Sequence, residues 1–205
     1  MPTKPILHYF DIGRLGRGEV VRLFLHDAGI EFEDKRYPFD ESWPTTKPSL
    51  QKAGLTVPGT LPALEYKGHV LTQHLVILRY LSRDLNQYDG QSNDEKYLVD
   101  CVADIYNDWR ANWVKCLAGV SEEYKNNTAP SFYKCMEHFY SQDSSGPYLL
   151  GNMITYADFA VYQAIDNDIR VGAISKDSLP KSMIVLKEAM EARPRLAGYL
   201  AGNTV

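Results

Sequence analysis

The sequence has few cysteines, no long hydrophobic run and no excess of basic residues. Its three cysteines, Cys101, Cys116 and Cys135, are far apart and form no C-x-x-C pair, which argues against a disulfide framework or a zinc site. No apolar stretch has the length of a membrane span or the flanks of a signal peptide. Lys and Arg number 22 against 26 Asp and Glu, so a basic nucleic-acid surface is not expected. We therefore expect a cytoplasmic protein without a metal, membrane or nucleic-acid partner.

The 205 residues divide into two parts with different patterns. The first part alternates short strand-like runs with amphipathic segments, whereas the part after a polar stretch is amphipathic at helical spacing throughout. The fold class predicted is α/β followed by all-α: an α/β domain over 1–85, a linker over 86–93 and a helical domain over 94–205. The predicted strands are 6–10, 32–37, 61–66 and 69–71, with an irregular piece before the third; the predicted helices are 19–28, 73–85, 94–120, 131–142, 155–171 and 180–192.

One helix start is well defined. Thr155 and Asp158 fit a capping box, in which each side chain pairs with the backbone N–H of the other residue. Ile154 and Phe159 occupy the two positions of a hydrophobic staple around it. We interpret this motif as a folding device rather than a catalytic one.

The junction after the first strand, from Tyr9 to Glu19, could hold an anion because a helix N-terminus follows a strand there. Its glycines run G-x-x-G-x-G, which is not the order of a dinucleotide loop, and no P-loop lysine follows. The segment contains no Cys and no Ser, so the phenol of Tyr9 is its only hydroxyl. Taken alone, a flexible turn with solvated arginines is the simpler interpretation.

Other segments could bind a ligand, although each has a simpler structural interpretation. Trp43 with Lys47 is consistent with an exposed loop anchored by an indole. A cis bond before Pro62 would leave backbone groups available to a ligand, and the helix that starts after Thr72 could hold a carboxylate at its N-terminus. The long helix carries acids on one face, which is either a solvated face or a groove that needs negative potential. These acids are Asp100, Asp104 and Asp108.

Taken together, these features resemble the soluble glutathione transferases, in particular the tyrosine-type alpha, sigma and pi classes. The matching residues follow the family's order along nearly the whole chain: Tyr9-Phe10, Gly16 to Glu19, Trp43 with Lys47, Leu61-Pro62, Gln73, Asp104, Asp108 and the capping box at Thr155. The resemblance implies a thioredoxin-like N-terminal domain, a helical C-terminal domain, a homodimer and glutathione as co-substrate, with no metal.

The resemblance also implies a role for each residue of the glutathione site. Tyr9 is similar to the tyrosine that activates the thiol, with Arg17 or the helix end adding to its effect. Trp43 and Lys47 resemble the residues that hold the glycine carboxylate. The remaining contacts would be Leu61 before a cis Pro62 for the cysteinyl part, with Thr60 ahead of it also in the glutathione site, Gln73 and His74 for the γ-glutamyl end, and Asp108 reaching the partner's γ-glutamyl ammonium. The electrophile pocket would be formed by Phe10, Ile12, Arg14, Arg110, Trp113, Val114 and Leu117.

The chain departs from the family's pattern at three places. Gly13-Arg14 resembles a two-residue insertion beside the electrophile pocket, which leaves open whether Arg14 or Arg17 is the useful arginine. His74 stands where a serine is usual, and Thr60 replaces a glutamine. An imidazole donates most strongly when protonated, so we expect glutathione binding to tighten as the pH falls through the titration of His74.

The sequence leaves more than one function open. A conjugating transferase is the first hypothesis, and a glutathione-dependent isomerase or biosynthetic enzyme for one metabolite is the second. A non-catalytic binding protein is the third, against which the intact Tyr9, Lys47 and Asp108 argue. A thiol–disulfide oxidoreductase has little support, because no cysteine precedes Cys101.

Overall fold

The computed structural model describes residues 4–202, which form two compact units. Unit 1 comprises the described residues up to Leu81 together with those from Pro194 onward, and unit 2 runs from Ser82 to Arg193. The strands are β1 (Ile6–Phe10), β2 (Glu33–Tyr37), β3 (Ala63–Tyr66) and β4 (His69–Thr72). The α-helices are α1 (Arg17–Asp27), α2 (Trp43–Lys52), α3 (His74–Leu85), α4 (Asn93–Trp113), α5 (Ala129–Tyr140), α6 (Tyr156–Arg170), α7 (Lys181–Glu191) and α8 (Pro194–Gly202). The predicted fold class, an α/β part followed by a helical part, is confirmed.

The sheet of unit 1 has the order β2-β1-β3-β4. β1 is parallel to β2, to which α1 connects it, and antiparallel to β3. A parallel pair needs such a crossover, whereas β3 and β4 form an antiparallel hairpin across the turn at Lys67-Gly68. Tyr9 lies opposite Arg36 near the end of the central strand β1, where the chain turns into α1.

Two helices of unit 1 were not predicted. α2 occupies the piece that was expected to be irregular, and Pro44 lies in its first turn, where the missing N–H does no harm. α8 follows Arg193 at Pro194 and packs against α1 within unit 1. Arg195 Nη1 of α8 donates a hydrogen bond of 3.0 Å to the carbonyl oxygen of Asp27 at the end of α1.

Unit 2 packs α4 against α6, and α7 against both α5 and α6. α4 ends at Trp113, earlier than predicted, because residues 114–118 tighten into a 3₁₀ helix. A five-residue π-helix, Tyr124–Thr128, precedes α5. The core of the unit is built from apolar side chains of all four long helices: Val102, Ala103, Met136, Phe159, Val161, Ile165, Met183 and Leu186. Among residues 4–202, no helix is long and apolar enough to cross a membrane.

Two buried aspartates organise unit 2. The predicted capping box at Thr155 is present, and the carboxylate of Asp158 accepts hydrogen bonds from the Thr155 N–H at 2.7 Å and the Thr155 hydroxyl at 2.9 Å. Asp158 also accepts from the Leu149 N–H and the Tyr140 hydroxyl, both at 2.9 Å. Further along α6, Asp168 accepts from two buried phenols at 2.8 Å each, those of Tyr124 and Tyr133.

Candidate active site

Tyr9 is the centre of the candidate site in unit 1. Its side chain is only 5% exposed, and its phenol oxygen accepts a hydrogen bond of 2.8 Å from the backbone N–H of Arg17, the first residue of α1. The phenol oxygen is therefore held at the N-terminus of a helix, where the backbone dipoles favour negative charge. A phenol that accepts one such bond still carries its own O–H donor.

Two glycines let the chain pass this close to Tyr9. Gly16 adopts a φ of 76°, and a Cβ at this position would collide with the Tyr9 phenol oxygen. A Cβ at Gly18 would overlap the Tyr9 ring itself, lying 2.7 Å from the Tyr9 Cβ. The glycine pattern seen in the sequence thus serves the packing of α1 against a tyrosine.

The apolar surroundings of Tyr9 contain several residues that the sequence pointed to. Tyr9, Leu61 and Ala63 form a buried cluster against which Phe10, Ile12, Tyr37 and Trp43 pack. The rings of Phe10 and Trp43 meet edge-to-face with their centroids 4.6 Å apart. Residues from β1, the following loop, α2 and the start of β3 therefore come together at one place in unit 1.

The second phenol of this cluster, that of Tyr37, is hydrogen-bonded to a histidine. Tyr37 Oη lies 2.8 Å from His8 Nδ1, and His8 Nε2 lies 2.8 Å from Glu65 Oε1. Burial, with Glu65 adding to it, raises the pKa of the Tyr37 phenol. Sequence reasoning did not single out this residue, because its pairing with His8 crosses from β2 to β1.

The segment before β3 is held by a residue that the sequence did not reveal. The Leu61–Pro62 peptide bond is cis, as predicted. The wholly buried Thr56 donates its hydroxyl to the Thr60 carbonyl oxygen at 2.7 Å and accepts from the Thr60 N–H at 3.0 Å. Thr60 therefore has both backbone groups fixed while its side chain is exposed.

Lys47 extends from α2 to the same segment. A Cβ at Gly59 would lie 3.0 Å from Lys47 Nζ and would collide with the Lys47 stem. Gly59 has a φ of 68°, which glycine adopts at little cost. The ammonium group and the segment around Thr60 are therefore neighbours.

The start of α3 presents Gln73 and hides His74. Gln73 is exposed with a φ of 68°, and its carbonyl oxygen accepts a hydrogen bond of 2.8 Å from the Ile77 N–H. His74 is only 3% exposed, so its ring lies inside unit 1. This arrangement favours Gln73 and the first backbone N–H groups of α3, rather than the imidazole, as contacts for a carboxylate.

The two arginines of the loop differ in what they contribute. Arg14 is 7% exposed, and its Nε lies 3.5 Å from Glu19 Oε1. Arg17 gives its backbone N–H to Tyr9, while its side chain is half-buried. A further guanidinium, that of Arg22, lies 5.7 Å from the centroid of the Tyr9 ring.

The predicted pocket residues of unit 2 divide into buried and exposed pairs. Arg110 and Trp113 are almost fully buried. The Arg110 guanidinium lies 4.5 Å from the ring centroids of both Trp109 and Trp113, and its Nη1 donates to Asn167 at 3.1 Å. Val114 and Leu117 are exposed. Arg110 and Trp113 thus belong to the core of unit 2, and their contact with an electrophile stays a prediction.

The three acids of α4 differ in their hydrogen bonding and exposure. Asp100 accepts a hydrogen bond from the Tyr156 hydroxyl, which accounts for its presence on this face. Asp104 and Asp108 are exposed, as a solvated face or a groove would require. Across residues 4–202, no group of three or more His, Cys, Asp or Glu side chains is placed to hold a metal ion.

Comparison with known proteins gives a consistent result. The family profile described as "Glutathione S-transferase, N-terminal domain" matches residues 5–83, and the one described as "Glutathione S-transferase, C-terminal domain" matches residues 107–203. The chain is 30% identical over 200 residues to glutathione S-transferase P 10 of Caenorhabditis elegans, spanning 96% of this chain and 90% of that protein. It is also 30% identical over 201 residues to hematopoietic prostaglandin D synthase of Gallus gallus, spanning 95% and 94%. The solved structure of a Pi-class glutathione S-transferase of Onchocerca volvulus matches with a TM-score of 0.83 at 26% identity, covering 98% of this chain and 93% of that one.

Proposed function

The chain belongs to the glutathione S-transferase family, and on that basis we propose that it joins the thiolate of glutathione to small electrophilic compounds. The observation that carries the proposal is the phenol oxygen of Tyr9, held by the first backbone N–H of α1 at 2.8 Å. In this position the phenol O–H can be donated to a sulfur anion. Glutathione is the co-substrate, and Tyr9 is the catalytic residue.

Activation of the thiol follows from elementary acid–base chemistry. A thiol has a pKa of about 8.5, so only a small fraction is thiolate at neutral pH. A hydrogen bond from Tyr9, together with the N-terminal dipole of α1, stabilises the anion and lowers that pKa. Each unit of lowering corresponds to about 1.4 kcal/mol. The thiol proton leaves to solvent, the sulfur forms a bond to the electrophilic carbon, and a leaving group departs with its bonding electrons.

The other glutathione contacts come from the neighbours of Tyr9. Lys47 and Trp43 on α2 bind the glycine carboxylate, with the exposed Thr60 beside them. The backbone of Leu61, ahead of the cis Pro62, pairs with the cysteinyl part. Gln73 and the first N–H groups of α3, at His74, bind the γ-glutamyl carboxylate. What supports this assignment is the proximity of Lys47 to Gly59 and the exposure of Gln73 at a helix start.

The electrophile pocket takes Phe10 and Ile12 as its walls in unit 1. Both are only partly buried and pack on the Tyr9 cluster. Arg14 contributes its charge from within its ion pair with Glu19. Of the pocket residues expected in unit 2, Val114 and Leu117 are exposed, whereas Arg110 and Trp113 are buried in the core of that unit.

A cytoplasmic homodimer completes the proposal. The exposed carboxylate of Asp108 reaches the γ-glutamyl ammonium in the partner's site. Unit 1 also carries exposed apolar side chains that an interface could cover, among them Val57 and Val76. The linker expected over residues 86–93 stays a prediction, and these residues group with unit 2, which begins at Ser82.

The test combines calorimetric titration with glutathione and an assay of conjugation to a generic aromatic electrophile. Wild type should bind and turn over. Tyr9→Phe should lose about tenfold or more of kcat, because it removes the donor to the thiolate, while the Kd for glutathione changes little. Tyr97→Phe is the matched control, since Tyr97 is 72% exposed on α4. A Tyr9→Phe variant with the kcat of that control would remove Tyr9 from the mechanism.

A second candidate function is glutathione-dependent isomerisation of one metabolite. It is favoured by the 30% identity to hematopoietic prostaglandin D synthase. Product analysis separates the two: a stable conjugate indicates a transferase, whereas unchanged glutathione with a rearranged product indicates an isomerase. Binding of glutathione without either product would indicate a binding protein.

A further inference from the structure

The C-terminal helix α8 carries a tyrosine that contacts a buried carboxylate of α1. Tyr199 Oη lies 3.0 and 2.9 Å from the two carboxylate oxygens of Glu19, to which it donates its single proton. Glu19 is wholly buried. Burial, with the charge of Glu19 adding to it, raises the pKa of Tyr199, so this hydroxyl stays a donor at every physiological pH.

Glu19 is also the counterion of two buried arginines. Arg14 Nε lies 3.5 Å from one carboxylate oxygen, and Arg22 Nη1 lies 3.5 Å from the other. A buried cation is stable only next to a fixed anion, because the loss of hydration must be offset by a close partner. Glu19 is therefore a fixed anion shared by both guanidinium groups.

One of these two arginines lies against Tyr9, and the other belongs to the loop beside it. Arg14 lies between Ile12, which packs on the Tyr9 cluster, and Gly16, at which a Cβ would collide with the Tyr9 phenol oxygen. Arg22 lies over the Tyr9 ring and is held in addition by Asp34, with its Nε 2.9 Å from a carboxylate oxygen. Arg22 is therefore held by Asp34 of β2 as well as by Glu19. The ion pair of Arg14 is the one to Glu19.

The ring of Tyr199 has a second contact. It stacks on His26 of α1 with the ring centroids 4.1 Å apart and the planes inclined by 22°. Burial lowers the pKa of His26, against an opposing effect from Asp34. Tyr199 thus makes two separate contacts, one with its ring and one with its hydroxyl. A phenylalanine at this position would keep the stacking on His26 and lose the hydrogen bond to Glu19.

We propose that Tyr199 is a positioning residue for the thiolate site: by donating to Glu19 it holds Arg14 where the guanidinium charge supports the anion beside Tyr9. The inference rests on the proposed function. Without the hydroxyl, Glu19 takes more of its donors from the arginines and draws the guanidinium of Arg14 toward itself. Less positive charge then reaches the sulfur, and the pKa of the bound thiol rises.

The experiment uses the full chain with Tyr199→Phe. The thiol pKa of bound glutathione is measured from the ultraviolet absorbance of the thiolate across pH, together with kcat and the KM for glutathione. We expect a rise of about half a unit to one unit in the thiol pKa, which is about three- to tenfold less thiolate at a pH well below that pKa. In that pH range kcat should fall by the same factor, while the KM for glutathione stays unchanged.

Two comparisons make the result specific. Tyr140→Phe removes the same kind of phenol–carboxylate bond in unit 2, the one to Asp158, and should lower Tm without shifting the thiol pKa. Arg14→Met should itself raise the thiol pKa, and it serves as the second variant if Tyr199→Phe does not fold. Adding Tyr199→Phe to Arg14→Met should then produce little further change, because both act through one ion pair.

The inference is overturned by an unchanged thiol pKa in folded Tyr199→Phe, or by an equal shift in the presence and absence of Arg14. Failure of the proposed function has a different signature. A wild-type protein that neither binds nor turns over glutathione would remove both, whereas normal wild-type turnover that depends on Tyr9 but not on Tyr199 would remove this inference alone.

Discussion

Replacing Gly16 by alanine tests how the loop before α1 holds Tyr9. Gly16 has φ 76° and ψ −174°, a region that only glycine adopts readily and that costs another residue about 1–3 kcal/mol. The added Cβ would lie 3.0 Å from Ile12 Cδ1 and 3.3 Å from Tyr9 Cζ, and it would collide with the Tyr9 phenol oxygen. The substitution therefore combines backbone strain with displacement of the proposed catalytic group.

The displacement can be estimated from these contacts. Non-bonded carbon atoms are most stable about 3.5–4.0 Å apart, so the phenol must move by about 1 Å to make room. A misplacement of about 1 Å can cost about 10²-fold in rate. We expect Gly16→Ala to lose about 10²-fold in kcat and about 2 kcal/mol in the free energy of unfolding, while its Kd for glutathione changes by less than about threefold because the tripeptide's charged ends bind elsewhere.

Gly54→Ala is the matched control. Gly54 has a φ of 74°, but a Cβ there would meet no atom within 4 Å. It should therefore lose a similar amount of stability in urea unfolding and keep its kcat in the conjugation assay. If Gly16→Ala has a kcat within about twofold of Gly54→Ala, the close approach of the loop does not position Tyr9, and the reasoning from packing to rate is wrong.

Two further predictions concern the buried aspartates of unit 2. Asp158→Ala should lower the free energy of unfolding by about 3 kcal/mol or more in urea, since four donors lose their acceptor; a loss no larger than that of Tyr140→Phe, which breaks one of the four bonds, would contradict this. Burial raises the pKa of Asp168 to about 6, above its ordinary value of 3.8, so the folded chain binds this proton more tightly than the unfolded chain does. The free energy of unfolding of wild type relative to Asp168→Asn should therefore rise as the pH falls from about 7 to about 5, and the opposite slope would refute it.

Local patterns in the sequence predicted much of the fold. The strand at residues 6–10 and the capping box at Thr155 have the expected bounds, because both depend on neighbouring residues. α2 was missed because its proline-rich start, Trp43-Pro44, is typical of loops as well as of first helical turns. α8 was missed because no helix was predicted after residues 180–192, although a proline such as Pro194 is suited to the first position of a new helix.

The candidate site was predictable only where its residues are close in sequence or carry a motif. The loop around Tyr9 and the cis Pro62 are of this kind. Thr56 and Tyr199 are not, since their roles depend on contacts that folding creates and their residue types are common. Arg110 and Trp113 show a different limit: the family resemblance implied that they line a pocket, but the sequence did not show that the guanidinium of Arg110 packs against Trp113 in the core of unit 2.

The return of the chain to unit 1 at Pro194 bears on how the protein is made. Unit 2 is continuous in sequence, whereas unit 1 is interrupted after Leu81 and resumes only with α8. On the ribosome, all of unit 2 is synthesised before the helix that covers α1 becomes available, although the sheet was translated first. Unit 2 is therefore complete before unit 1, although the translation of unit 1 begins first. A stalled or truncated product that lacks α8 would expose to chaperones the face of α1 on which α8 packs.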